Sequence, residues 1–324
     1  MEVTTIKTKD KPIFIVGYPK SGTTLMCSLM DGHSELMVLS EETQFFPRVF
    51  PRIDFDSTSI KDDLSNAFLN YSGLRYLNAT AEESSISGNL DYTNFDYNFF
   101  INKVLSYLEL ENINEKSVFD AVIMSFAEAI ETPLEQKRYW VEKTPRHYEY
   151  VDRLLALYPD ARFIHVVRDP RDNWVSYNKK RDITLNDYCY NWLKSIELGN
   201  KHKALLGEHY HFVKYEDLVK SPEQVMKSLC ESFNMNYQDI LLLPTRNGVD
   251  WHGNSMWNER PEGISNAPVG RYKERAESKD VEIIEAVTKR YMKAFGYSQD
   301  YVSAKSPLSL KLYFLKKQIK DLFF

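Results

Sequence analysis

The segment Gly17-Tyr18-Pro19-Lys20-Ser21-Gly22-Thr23-Thr24 constrains the fold more than any other part of the chain. It follows directly on the apolar run Pro12-Ile13-Phe14-Ile15-Val16 and runs into Leu25-Met26-Cys27-Ser28-Leu29-Met30. That order reads as a strand, a glycine-containing loop and the start of a helix. Two glycines with four residues between them have the spacing of a nucleotide P-loop, whose backbone N–H groups and helix N-terminus bind phosphate oxygens. One position departs from the triphosphatase rule. Those enzymes close the loop with Gly-Lys-Ser/Thr, whereas Gly22-Thr23-Thr24 stands here and the lysine, Lys20, lies inside the loop. The anion cradle is kept, but the lysine that reaches the β/γ-phosphates is missing. The loop is expected to take a shorter anhydride than a triphosphate.

The order Tyr-Pro-Lys-Ser-Gly-Thr-Thr resembles the 5′-phosphosulfate loop of sulfotransferases that use 3′-phosphoadenosine 5′-phosphosulfate (PAPS). The resemblance implies a second motif for the 3′-phosphate: an apolar strand ending in Arg, with Ser eight residues later. Residues 163–167 are such an apolar run, Arg168 ends it, and Ser176 lies eight positions on. Two motifs in the right order carry the match far better than one. Tyr215, in Lys-Tyr-Glu-Asp-Leu, stands where the family has a tyrosine near the adenosine; a buried sheet-edge tyrosine is the plainer alternative. Gly270 and Arg271, in Val269-Gly270-Arg271-Tyr272-Lys273, look like the late segment that folds over the 3′-phosphate.

Sulfuryl transfer asks for few parts. An acceptor hydroxyl attacks in line and adenosine 3′,5′-bisphosphate (PAP) leaves, so positioning and electrostatics supply most of the catalysis, as in phosphoryl transfer. The N–H groups of the loop around Gly22, with the Ser21, Thr23 and Thr24 hydroxyls, can hold the 5′-phosphate. Lys20 can neutralise charge building on the bridging oxygen. The acceptor needs a general base. Ser40-Glu41-Glu42-Thr43 resembles the protein-tyrosine and related bacterial branch, in which the second Glu of Glu-Glu-Thr is that base. Carried over, it is Glu42. The spacing from the loop is one residue longer here, which leaves Glu41 as a rival. Lys143, in Glu142-Lys143-Thr144-Pro145, resembles the branch's second lysine beside the sulfuryl oxygens. Plainer readings exist: Ser40, Glu41 and Glu42 as the N-cap of a helix starting at 43, and Lys143 as a strand-end lysine paired with Glu142.

Alternating apolar runs and helical patterns predict a parallel sheet wrapped by helices. Strands are expected near 12–17, 36–39, 138–142, 162–167 and 210–214, and helices near 23–32, 147–158, 171–181, 185–206, 222–234 and 279–295. Over about 45–136 the strand pattern breaks down and helical stretches such as 97–110 and 117–131 dominate. The expected architecture is therefore α/β: a P-loop-type three-layer α/β/α fold with a central parallel sheet and a helical insertion. It would form one domain over 1–300, followed by an amphipathic helix over 301–324.

Composition narrows the rest. A chain of 324 residues with 43% hydrophobic content can bury a large core. Its net charge of −5 argues against a general nucleic-acid binder. Cys27, Cys189 and Cys230 are far apart and odd in number, which predicts neither a disulfide framework nor a metal cluster, but a reducing, cytoplasmic compartment. The only early apolar run is strand-length, too short for a signal or membrane-spanning segment. No metal site is expected: His209 and His211 share a strand face without a third ligand.

Near the C-terminus, Leu308, Leu312, Leu315, Ile319 and Leu322 recur as one helical stripe, with Lys311, Lys316, Lys317 and Lys320 interleaved. Such a helix can lie on the inner face of an anionic membrane; docking on the domain or a partner subunit is the favoured reading. The oligomeric state stays open. Phenol, sterol, sugar, lipid alcohol and peptidyl tyrosine all suit a Glu base, and the expectation leans to a small-molecule, glycan or lipid acceptor. Two rivals remain. A P-loop kinase would use the apolar run ending at Asp169 to hold magnesium, and a non-catalytic adenosine-bisphosphate-binding module would have no use for Lys20, Glu42 and Lys143 together.

Overall fold

The computed structural model describes residues 10–78, 95–108, 113–132, 134–179, 183–253 and 263–323. Five strands, β1 (Pro12–Val16), β2 (Leu36–Val38), β3 (Tyr139–Lys143), β4 (Arg162–Val167) and β5 (Tyr210–Lys214), form one sheet in the order β2-β3-β1-β4-β5. Every pairing in it is parallel. All five residues of β1 and all five of β3 are buried, as expected of strands covered on both faces. Alternation splits them cleanly. Phe14, Val16, Met37, Trp140 and Phe163 enter one core; Ile13, Ile15, Leu36, Val38, Val141, Ile164 and Val166 enter the other.

The helices are α1 (Thr23–Met30), α2 (Ile60–Tyr71), α3 (Tyr97–Tyr107), α4 (Glu115–Ala129), α5 (Val151–Leu157), α6 (Pro170–Asn178), α7 (Leu185–Leu206), α8 (Tyr215–Lys220), α9 (Pro222–Phe233), α10 (Tyr272–Arg275), α11 (Ser278–Ala294) and α12 (Leu308–Phe323). Between β2 and β3 the chain leaves the sheet, and α2, α3 and α4 bury Leu64, Phe100, Phe119 and Phe126 on the Phe14 face together with α5. α1, α8 and α9 cover the opposite face through Met26, Leu29, Leu218, Leu229 and Phe233. The result is three layers, α/β/α. A short antiparallel pair, β6 (Thr245–Arg246) and β7 (Val249–Asp250), closes over the end of α1.

The five expected strands are present within one residue at each end, and α7 has the predicted bounds. Two expected helices and one plainer alternative differ. The helix expected over 147–158 is split: Pro145–Glu149 is a 3₁₀ turn, and Tyr150 (φ −122°) interrupts it before α5. No helix starts at 43, because Gln44 turns through the left-handed region (φ 50°) into a π-helical turn, Phe45–Val49. The helix expected over 171–181 spans Pro170–Asn178, and the end of that expectation falls on residues outside the described ones. α2 lies in the expected helical insertion but was not singled out, although Ile60, Leu64, Ala67 and Phe68 bury one face at helical spacing.

α12 docks on α7. Leu310 is buried, Phe314 lies against Tyr190 at 5.6 Å, and Lys317 and Asp321 pair with Asp187 and Lys194 at 2.7 Å each. Among the described residues, no helix is long and apolar enough to cross a membrane.

Candidate functional site

The loop between β1 and α1 opens at the C-terminal end of the central strand, where parallel sheets of this kind bind ligands. No side chain caps α1, whose N-cap is Gly22 (φ 98°), so its orphan first-turn N–H groups make a ready anion site. A Cβ at Gly22 would lie 2.3 Å from Cδ2 of Tyr215. The missing side chain thus lets the Tyr215 ring seat directly on the loop. Lys20 turns the loop with φ 71°, a conformation non-glycine residues seldom adopt and one found more often at functional sites. Ser21 is buried and held from α6, where Asn173 Nδ2 donates to Ser21 Oγ at 3.0 Å and to the Pro19 carbonyl at 3.1 Å.

Arg168 lies beyond the end of β4. Its Nη1 donates to Ser176 Oγ at 3.1 Å and to the Lys20 carbonyl at 3.2 Å, and its Nη2 to the Pro268 carbonyl at 2.9 Å. The guanidinium sits 4.7 Å over the Tyr215 ring. Among the described residues its Nε is buried without a hydrogen-bond partner, a group that calls for an explanation. Asp172, on α6, accepts from the N–H groups of Gly270 at 2.6 Å and Tyr272 at 2.8 Å, and so pins the late segment beside Arg168. Burial raises the Asp172 pKa, partly offset by Arg168 and by those two N–H bonds.

At the other end stand Glu42 and Lys143. Lys143 Nζ donates to Glu42 Oε1 at 2.5 Å and reaches Thr24 Oγ1 at 3.5 Å; the Gln44 side-chain amide donates to the other Glu42 oxygen. Glu42 is held by its backbone too. Its carbonyl accepts from Gly73 N–H at 2.7 Å, and a Cβ at Gly73 would come within 2.8 Å of that oxygen. The end of α2 therefore positions Glu42. Glu142 does not pair with Lys143, because adjacent strand residues point to opposite faces. Its buried carboxylate instead accepts from Thr43 N (3.1 Å), Thr43 Oγ1 (2.7 Å) and Thr144 Oγ1 (2.5 Å), and meets His147 Nδ1 at 3.0 Å. Burial alone would raise the Glu142 pKa, but His147 and these bonds outweigh it and lower it. This knot fixes the Glu42-Thr43-Gln44 stretch to the end of β3.

The neighbouring Glu41 has a different fate. It is buried and accepts from Arg246 Nη1, on β6, at 2.9 Å. Glu42 lines the cavity of about 710 Å³ in front of the loop, and Glu41 does not. Lys20, Gly22, Thr23, Thr24, Arg168, Ser176, Tyr215 and Arg271 line the same cavity. Ser21, Lys143 and Gly270 are not among its lining residues. Asp169, the residue a kinase would need for magnesium, is engaged by Arg171 through bonds of 2.6 and 2.9 Å.

Sequence reasoning missed several neighbours. Asp172 and Asn173 follow Arg168 by only a few residues, but nothing local shows that they reach the late segment and the loop. Arg48, Arg146 and Trp251 also line the cavity, and only tertiary contacts bring them there. Within the described residues, no group of three or more His, Cys, Asp and Glu side chains is arranged to hold a metal ion. The three cysteines are buried and unbonded, with burial pushing the Cys27 thiol up to about 12.

The profile described as "Sulfotransferase family" matches residues 12–239, and the chain belongs to that family. It is similar to protein-tyrosine sulfotransferase 2 of Gallus gallus, with 26% identity over 245 residues that cover 72% of this chain and 54% of the relative. It is also similar to protein-tyrosine sulfotransferase 1 of Danio rerio, with 25% identity over 247 residues covering 73% and 57%. The chain thus spans about half the length of these curated relatives. Among solved structures, the sulfotransferase domain from the curacin biosynthetic pathway superposes with a TM-score of 0.59 at 21% identity, covering 89% of this chain and 98% of that one. The sulfotransferase domain of the Synechococcus PCC 7002 olefin synthase gives 0.60 at 19% identity, covering 89% and 95%. Both share the fold.

Proposed function

We propose that the protein is a PAPS-dependent sulfotransferase that uses Glu42 as general base, with Lys20 and Lys143 stabilising the transition state. The observation that carries this reading is the Glu42–Lys143 contact of 2.5 Å beside the N-terminus of α1. Base, cation and anion cradle then lie within one small volume. PAPS would supply the sulfuryl group, and PAP would leave once the acceptor oxygen had bonded to sulfur and the bond from sulfur to the 5′-phosphate oxygen had broken. The chain's residues fit that donor. The uncapped start of α1 with Ser21, Gly22, Thr23 and Thr24 suits the 5′-phosphate, and the ring of Tyr215 suits the adenosine. Arg168, whose buried Nε has no partner among the described residues, would join Ser176, Gly270 and Arg271 in holding the 3′-phosphate. An entering hydroxyl would displace the Gln44 amide from Glu42 and pass its proton to the freed carboxylate oxygen. Lys143 would then turn to the charge developing on the transferring group. No metal enters this scheme.

The acceptor we propose is a small-molecule, glycan or lipid hydroxyl, such as a phenol, sterol, sugar or lipid alcohol. A peptidyl tyrosine is the second reading, favoured by the names of the relatives. The reading includes a reducing, cytoplasmic setting, supported by three buried cysteines that form no disulfide. A panel of acceptors from each class, incubated with sulfur-labelled donor, tests the function: label should pass to a hydroxyl of one class, and label moving to peptidyl tyrosine alone would favour the second reading.

The donor end makes its own prediction. Arg168→Ala should weaken PAP binding by about 1.5–3 kcal/mol, the worth of hydrogen bonds to a charged group. Adenosine 5′-phosphosulfate lacks the 3′-phosphate and should lose far less. Calorimetric titration of both ligands checks this, and equal losses would remove Arg168 from the 3′-phosphate.

A further inference from the structure

α12 shows two faces with different fates. The face toward α7 carries Leu310, Tyr313, Phe314, Lys317 and Asp321, and its polar members are satisfied: Asp187 Oδ1 accepts from Tyr313 at 2.5 Å and Asp321 Oδ2 from Tyr190 at 3.0 Å. The opposite face presents Leu308, Leu312, Leu315 and Ile319, which are 73%, 53%, 54% and 48% exposed. At 3.6 residues per turn these four fall on one narrow stripe. Lys311 lies on one flank of it and Lys316 on the other, both exposed. The helix has a single acid, Asp321, and it is turned away into its bond with Lys194 at 2.7 Å. Residues 301–324 carry Lys305, Lys311, Lys316, Lys317 and Lys320 against that one aspartate, in a chain of net charge −5. The positive charge is therefore local to the apolar stripe.

We infer that the exposed face of α12 docks on an anionic lipid surface, with its leucines in the interface and its flanking lysines on the headgroups. Apolar burial and attraction to anionic lipid are the two terms that hold a helix in this plane. A second copy of the chain is the rival occupant and fits less well. In a two-fold contact the same patch meets itself, which would bring the Lys311 and Lys316 rows of two copies together with no acid between them. The docking sits beside the site rather than in it. Lys194, which holds Asp321, also approaches Glu149 at 3.7 Å, and Glu149 and Asn191 line the cavity. The inference does not depend on the proposed reaction, and its test has no activity readout.

The test is flotation of the whole chain with vesicles of phosphatidylcholine and phosphatidylglycerol, against vesicles of phosphatidylcholine alone. The chain should float with the anionic vesicles and bind the neutral ones at least about tenfold more weakly, given about 1 kcal/mol from each lysine near the surface. Added salt should release it. Lys311→Gln/Lys316→Gln should cost a similar factor, and Leu312→Asp/Leu315→Asp should abolish flotation while the thermal transition and PAP binding stay unchanged. Failure to float with anionic vesicles, or equal binding to both kinds, would overturn the inference. So would a dimer in sedimentation velocity that Leu312→Asp/Leu315→Asp converts to monomer, because the stripe would then be covered by a second copy.

Discussion

Glu42→Gln should lower the turnover rate by roughly 10²–10⁴-fold, the range for loss of a general base. The substitution keeps the shape of the side chain and its contact with Lys143, and removes only the proton acceptor. Donor affinity should hardly change, since the residues proposed for the adenosine and 3′-phosphate, Tyr215, Arg168 and Ser176, lie at the other end of the cavity. Glu41→Gln is the informative control. Glu41 faces Arg246 at 2.9 Å in a buried pair, and weakening such a pair leaves a buried charge poorly compensated. That variant should lose stability while the folded fraction keeps its turnover. If Glu41→Gln slows the chemistry more than Glu42→Gln, the base is Glu41. If neither variant slows turnover tenfold, the carboxylate mechanism is wrong.

Lys143→Met should lower turnover by roughly 10²–10³-fold, the cost of losing one preorganised group aimed at developing charge. The side chain is only 3% exposed and its ammonium reaches both Glu42 and Thr24, so methionine fills the space of the stem without the charge. Steady-state kinetics should show the loss in the turnover number, with the Michaelis constant for donor little changed. A drop confined to donor affinity would make Lys143 a binding residue, and no drop would leave it structural.

Much of this fold could be read from the sequence because its signals are local. β1, the loop and α1 occupy nineteen consecutive positions, and β4 stands out as a short, nearly continuous apolar run, as strands buried on both faces do. Glu42, Lys143, Arg168 and Ser176 were likewise picked out as candidates within short motifs. Which way each side chain turns was not. The choice between Glu41 and Glu42 depends on Arg246 and Gly73, residues 205 and 31 positions away from their partners. The plainer reading paired Glu142 with Lys143, yet the pleat of β3 sends it to Thr43, Thr144 and His147. Asp172 gave no signal because its partners, Gly270 and Tyr272, come from a separate late segment. The stripe on α12 was visible as a period, but periodicity alone pointed to a docked apolar face. The structure docks the other face, through Leu310 and Phe314, and leaves the stripe exposed.

The most direct test of the account is calorimetric titration of the intact chain with PAP and with ATP, each with and without magnesium. The account predicts that PAP binds in the absence of magnesium, that magnesium leaves this unchanged, and that ATP binds more weakly under both conditions. ATP binding that needs magnesium and exceeds that of PAP would contradict it, and would assign the loop of Lys20 and Gly22 to a triphosphate after all.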